Sequence, residues 1–326
     1  MTPFRPIVYF DTSGLNHLLA DYDCSILQVI LTRHYLSRTT ATSLEEFAAN
    51  ENSKQRELLF AVSDPIAWSG GVIMSPNDIA YNAMVAYSEG NKDWRNMDIR
   101  LYEFESAQFR RERADQVAAV QLQEKDMLEE EYCGFFENER PRFEDYYKSG
   151  VEERPKTFQQ FIERVKLSDG MFWGIARSIY RDATGITLNQ QELMDLMDEC
   201  LPFKAFILCQ MISYYERSGF RDLKTALSFR SGRFDLFSAV YLCYCDLFIS
   251  ADKRQYNALK EITAIGNLRA KVLKYAELRR TIFPFSGMTM RFQATQKAVS
   301  VNDWLVPFTY QLSARASNEL LINRLY

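Results

Sequence analysis

The apolar positions near the N-terminus change their period as the chain proceeds. Ile7-Val8-Tyr9-Phe10 is a short, continuous apolar run that predicts a buried strand over 6–10. From Ser13, a good N-cap, apolar residues recur at Leu15, Leu18, Leu19, Ile26, Val29, Ile30 and Leu31, the spacing of one helix face. Tyr35 to Thr42 is rich in short and β-branched residues and predicts a second strand. Ser43 then predicts the cap of a helix beginning Leu44-Glu45-Glu46-Phe47-Ala48-Ala49, with Ser43 and Glu46 at capping-box spacing. The same alternation returns late in the chain. Asp235 to Cys245 reads as an apolar helix with a carboxylate in its first turn, ended by Asp246. Leu247-Phe248-Ile249-Ser250 reads as a strand, and Tyr256 to Phe283 as a basic amphipathic region, helical in two parts around Gly266.

The stretch between these regions, 51–224, has a mostly helical pattern. Glu103 to Tyr132 lacks Gly and Pro and carries dense charge of both signs, which predicts a long helix. Met171 to Tyr180 and Phe203 to Tyr215 are apolar-rich helical stretches. The chain thus divides into 1–50, a helical excursion over 51–224, and 225–326, whose tail from 284 has no clear period. Strand–helix–strand–helix, a long helical excursion, then helix–strand–helix is an α/β layout.

Composition narrows this picture. Only 13 Gly and 9 Pro in 326 residues favour helices over an all-β fold. No stretch is long and apolar enough to span a bilayer, and Met1-Thr2-Pro3-Phe4-Arg5-Pro6 lacks a signal-peptide layout. A cytoplasmic protein with no membrane partner is expected. The six cysteines fall mostly in apolar runs and read as reduced core residues rather than a disulfide framework. The net charge of −4 conceals an asymmetry, because residues 221–326 hold 16 Lys/Arg against 8 Asp/Glu. A basic C-terminal part facing a polyanion and a basic face packed beside the acidic part both account for this.

Asp11 closes the first strand and Asp252 lies just past the late one. Carboxylates beside buried strands are costly unless something cationic pairs with them. Glu46 sits in the first turn of the helix after strand two, and Asp235 in the first turn of a helix leading back to the sheet. A fold that joined these four would concentrate negative charge that a divalent cation can neutralise. Mg²⁺ and Mn²⁺ prefer such oxygen ligands. Other chemistries lack support. The two histidines, His17 and His34, have no nucleophile motif beside them, Cys243-Tyr244-Cys245 has no spaced zinc partners, and Ser69-Gly70-Gly71 lacks the Lys of a phosphate loop.

With these residues in place the chain resembles the PIN-domain nucleases, metal-dependent ribonucleases with a flavodoxin-like parallel sheet. Val8-Tyr9-Phe10-Asp11-Thr12-Ser13 is similar to their first motif, and Glu46-Phe47 to their second. Asp235, followed by Ser238 and Ala239, is similar to the third, and Phe248-Ile249-Ser250-Ala251-Asp252-Lys253 to the fourth, with Ser250 where the family has Thr. The resemblance covers about 1–50 and 230–260, and the long excursion departs from it. It implies that Asp11, Glu46, Asp235 and Asp252 hold one or two Mg²⁺ or Mn²⁺ ions, that Thr12, Ser13 or Ser250 orient carboxylates, and that Lys253 and Arg254 contact phosphates. The implied activity is hydrolysis of RNA, single-stranded RNA above all. Its alternatives are a catalytically silent PIN-like scaffold binding a protein or nucleic acid, and a DNA-directed or structure-specific nuclease on the same core. The acidic insertion suits a basic protein partner, autoinhibition or self-association. Three of these acids also have a purely structural use: Asp11 as a helix N-cap, Glu46 in a capping box with Glu45 as its rival for a metal, and Asp235 at a helix dipole.

Overall fold

The computed structural model describes residues 5–101 apart from 49 and 51, isolated positions 145, 148 and 150, and residues 153–167, 171–217 and 236–283. Asp235, the predicted helix Glu103 to Tyr132 and the tail from 284 lie outside the described residues. What is described of the chain belongs to one compact unit that ends at Phe283.

A five-stranded, all-parallel sheet forms its centre. The strands are β1 (Ile7–Phe10), β2 (Leu36–Thr40), β3 (Val72–Ile73), β4 (Leu247–Ser250) and β5 (Lys271–Lys274), in the order β3-β2-β1-β4-β5. The chain leaves β1 toward β2 and β3, then returns to place β4 on the other side of β1. The strand order therefore reverses between β1 and β4, the position where α/β sheets open a crevice at their carboxyl ends.

Strand alternation assigns each face its helices. Val8, Phe10, Ile249 and Leu273 face α1 (Thr12–Ala20), α2 (Cys24–His34), α3 (Ala41–Ala48), α4 (Ser53–Gly70) and a late helix, Tyr275–Ile282. Tyr9, Ile73, Phe248 and Val272 face the larger core. That core is built from α5 (Pro76–Ser88), α6 (Phe158–Leu167), α7 (Met171–Thr184), α8 (Gln190–Glu199), α9 (Leu201–Arg217), a 3₁₀ segment Ser238–Cys243 and α10 (Lys253–Gly266). The late helix is α11.

Several expectations are corrected by this arrangement. The helix predicted from Ser13 to Leu31 is two helices. Asp21 breaks it, accepting hydrogen bonds from the Asp23 N–H at 2.9 Å, Tyr275 Oη at 2.9 Å and Arg279 Nε at 2.8 Å. Burial opposes the Asp21 carboxylate, but these donors and the Arg279 charge hold its pKa below the usual range. The helix expected to start at Ser43 starts two residues earlier, and Thr40 Oγ1 accepts from the Ser43 N–H at 3.2 Å. Ser43 is thus inside α3 and forms no capping box with Glu46. The apolar stretch ending at Cys245 winds as 3₁₀ over Ser238–Cys243. The region around Gly266 holds β5 between its two helices. The segment 51–224, read as a helical excursion, supplies β3, so the sheet continues into it.

The Gly70-Gly71 pair explains how α4 reaches β2. A Cβ at Gly70 would stand 2.2 Å from the backbone oxygen of Ser37, and Gly71 has φ +89°, open to glycine at little cost. Gly70→Ala is expected to destabilise the fold by about 2–3 kcal/mol, read as a lower denaturant midpoint at unchanged slope. An unaltered midpoint would mean that α4 does not press on β2 this closely.

Candidate active site

The carboxyl ends of β1 and β4 are tied together by one serine. Ser13 Oγ donates to the Asp11 carboxylate, 2.8 Å from Oδ2 and 3.0 Å from Oδ1. The same oxygen accepts from the Ala251 N–H at 2.8 Å and the Asp252 N–H at 3.0 Å. The first turn of α1 thereby fixes the chain just past β4. Ser250 Oγ, buried, lies 3.3 Å from Ser13 Oγ and donates to Gln255 Oε1 at 2.7 Å.

Asp11 is the N-cap of α1, accepting from the Gly14 N–H at 2.6 Å. An N-cap carboxylate normally has a depressed pKa. Here burial pushes it the other way, up to about 7, against the Gly14 N–H and the hydroxyls of Ser13 and Ser250, and the charge of Glu46 adds to the rise. The half-buried Glu46 is thus near enough to act on Asp11 electrostatically. Asp252 is exposed and caps α10, its Oδ1 accepting from the N–H groups of Arg254 at 2.6 Å and Gln255 at 2.9 Å. Lys253 and Arg254 stand exposed in the first turn of α10. Asp246 lies at the opposite end of the sheet, where its Oδ2 accepts from the Ile7 N–H at 2.8 Å.

Three of the four predicted acids are in view, then, at one end of the sheet. The N-cap use expected as an alternative for Asp11 is also present. Among the described residues, no group of three or more His, Cys, Asp or Glu side chains could hold a metal ion. Asp235, the fourth predicted ligand, lies outside the described residues.

No family model, curated protein or solved structure matches this chain.

Two contributors were missed in the sequence. Gly14 is required because a Cβ there would stand 2.8 Å from the Ile249 backbone oxygen and 3.0 Å from Asp11 Oδ1. Gln255, buried, anchors Ser250. The only available signals were the glycine directly after Asp11-Thr12-Ser13 and a polar residue one turn into α10. Thr12 opens α1 and takes no part in the network around Ser13, whereas Ser13 and Ser250 do. His17 packs beside Tyr275, ring centroids 5.7 Å apart, rather than against the acids.

Proposed function

We propose that the protein is a metal-dependent nuclease of PIN-like type that hydrolyses RNA at the crevice between β1 and β4. The observation that carries this reading is Asp11. It is a carboxyl at the switch point, pushed up to about 7 by burial and by Glu46, so a nearby cation would relieve it. The donors in view are carboxylate and hydroxyl oxygens, which suit Mg²⁺ or Mn²⁺ in kind. In number they fall short, since no three acids in view form a ligand group. The bound ion would polarise the phosphodiester and activate water.

The residues of the chain have separable tasks under this reading. Asp11 and Glu46 supply negative charge on the β1 side, and Asp252 supplies it on the β4 side. Ser13 orients Asp11 while holding Ala251 and Asp252 in place. Lys253 and Arg254, with the helix N-terminus beneath them, offer positive charge to the backbone of the strand being cut.

A catalytically silent scaffold is the second reading. It is favoured by the structural use of both aspartates as helix caps.

Cleavage of single-stranded RNA by the full chain separates the two. We expect Mn²⁺-dependent cutting that EDTA stops, loss to background in Glu46→Gln and Asp252→Asn, and a drop of about 10–100-fold in Ser13→Ala. Cutting that persists in both acid variants would refute the metal assignment. No cutting of RNA or DNA with either metal would establish the scaffold.

A further inference from the structure

α10 begins just after Asp252 and buries Ala258, Leu259 and Ile262 in the larger core. Lys253, Tyr256 and Lys260 stand at i, i+3 and i+7 and so share a different face. The two lysines are exposed and Tyr256 is half-buried between them. At about 1.5 Å per residue, Lys253 and Lys260 are roughly 10 Å apart along the helix axis.

β5 brings a third cation to this face. Its last residue, Lys274, pairs in register with Ser250, so it lies at the same end of the sheet as the acids. The Lys274 amine stands 4.8 Å from the centre of the Tyr256 ring, and the Lys260 amine 5.3 Å from it. Two ammonium groups from different elements thus share one ring. The ring attracts each of them, but they repel one another. Among the described residues, none of the three lysines forms an ion pair. Glu277, the acid in the first turn of α11, accepts instead from the Lys274 N–H at 2.8 Å. The face is a run of unneutralised positive charge that starts beside Asp252 and leads away from it.

We propose that this face is the track along which a single-stranded RNA leaves the acids, its phosphates accepting from Lys253, Lys260 and Lys274. The choice of RNA rests on the nuclease reading. A chain of phosphates needs charge at intervals rather than a shaped pocket, and spaced lysines supply it. Tyr256 holds the amines of Lys260 and Lys274 and offers its ring to a passing base. Spaced cations beside an aromatic ring are the combination that single strands use, and an acidic peptide gains nothing comparable from the ring.

Fluorescence anisotropy of a labelled oligouridine, about a dozen nucleotides long, tests the track with the full chain in EDTA, where the strand stays uncut. Lys260→Met and Lys274→Met are each expected to weaken binding about threefold to tenfold. Each should also flatten the plot of log affinity against log salt by about 0.7. Lys271→Met, at the other end of β5, should change neither. Tyr256→Leu should weaken binding about tenfold, and the exposed Lys260 keeps the test open if that variant does not fold. With Mn²⁺, the lysine variants should raise KM for RNA and leave kcat unchanged. Lysine-dependent binding without cutting would sustain the track and end the nuclease reading. Cutting with wild-type affinity and salt slope in both lysine variants would end the track and leave the nuclease reading standing. The track is also overturned if the oligouridine does not bind, or if polyglutamate of equal charge displaces it as well as unlabelled RNA does.

Discussion

Asp11→Asn is expected to abolish RNA cleavage and to make the protein more stable at neutral pH. The two effects share a cause. Burial and the Glu46 charge push the Asp11 pKa from the ordinary 3.8 up to about 7. The folded state therefore holds a proton on Asp11 over a range in which the unfolded chain has released it. Stability from this group is complete below about pH 4 and is lost as the pH rises toward 7. The shift corresponds to no more than about 4 kcal/mol, and less in practice because the half-buried group keeps some contact with water. Asparagine carries no charge to bury. Its Oδ1 can still accept from the Gly14 N–H, and asparagine is among the best N-caps.

Thermal unfolding in EDTA from pH 4.5 to 8 checks this expectation. The midpoint of Asp11→Asn should match the wild type at the acid end and exceed it by several degrees at pH 8. Millimolar Mn²⁺ should then raise the wild-type midpoint and leave Asp11→Asn unmoved. A gap that does not widen with pH would show that Asp11 is comfortably ionised and remove the main support for a cation at this position. A group that lowers stability where it is needed for chemistry is a frequent mark of functional sites.

The parts legible in the sequence were those that depend on local pattern. The interior strands β1, β2 and β4 are short runs with apolar or β-branched residues, and each was found within a residue or two. The edge strands were not. β3 has only two residues, and β5, Lys271-Val272-Leu273-Lys274, begins and ends with lysine, as a sheet edge protected against further pairing does. The split between α1 and α2 escaped for a different reason. The apolar period runs through it, and the break depends on Tyr275 and Arg279, more than 250 residues away. The site divides in the same manner. Asp11 and Asp252 announce themselves as acids following apolar strands. The bridging role of Ser13 exists only because β4 comes to lie beside β1, which no local window contains.

Gly14→Ala is expected to inactivate the protein while destabilising it, the opposite stability effect to Asp11→Asn at the same crevice. The new methyl group would meet the Ile249 backbone oxygen at 2.8 Å. That oxygen already accepts the Asp11 N–H at 3.1 Å, so it cannot retreat without loosening the junction of β1 and β4. The first turn of α1 must move instead, carrying Ser13 away from Ala251 and Asp252 and stretching the Asp11–Gly14 hydrogen bond. Overpacking of this kind costs about 1–3 kcal/mol. Urea unfolding should show the loss, and cleavage should fall because Asp11 and Asp252 no longer keep their spacing. If the crevice were only a structural junction, both variants would be judged by stability alone and Asp11→Asn would be the better protein in every assay. Loss of activity in the stabilised variant as well as in the destabilised one is what a catalytic crevice requires. A stable, active Gly14→Ala would mean that the close approach of α1 to β4 does not set the geometry of the acids.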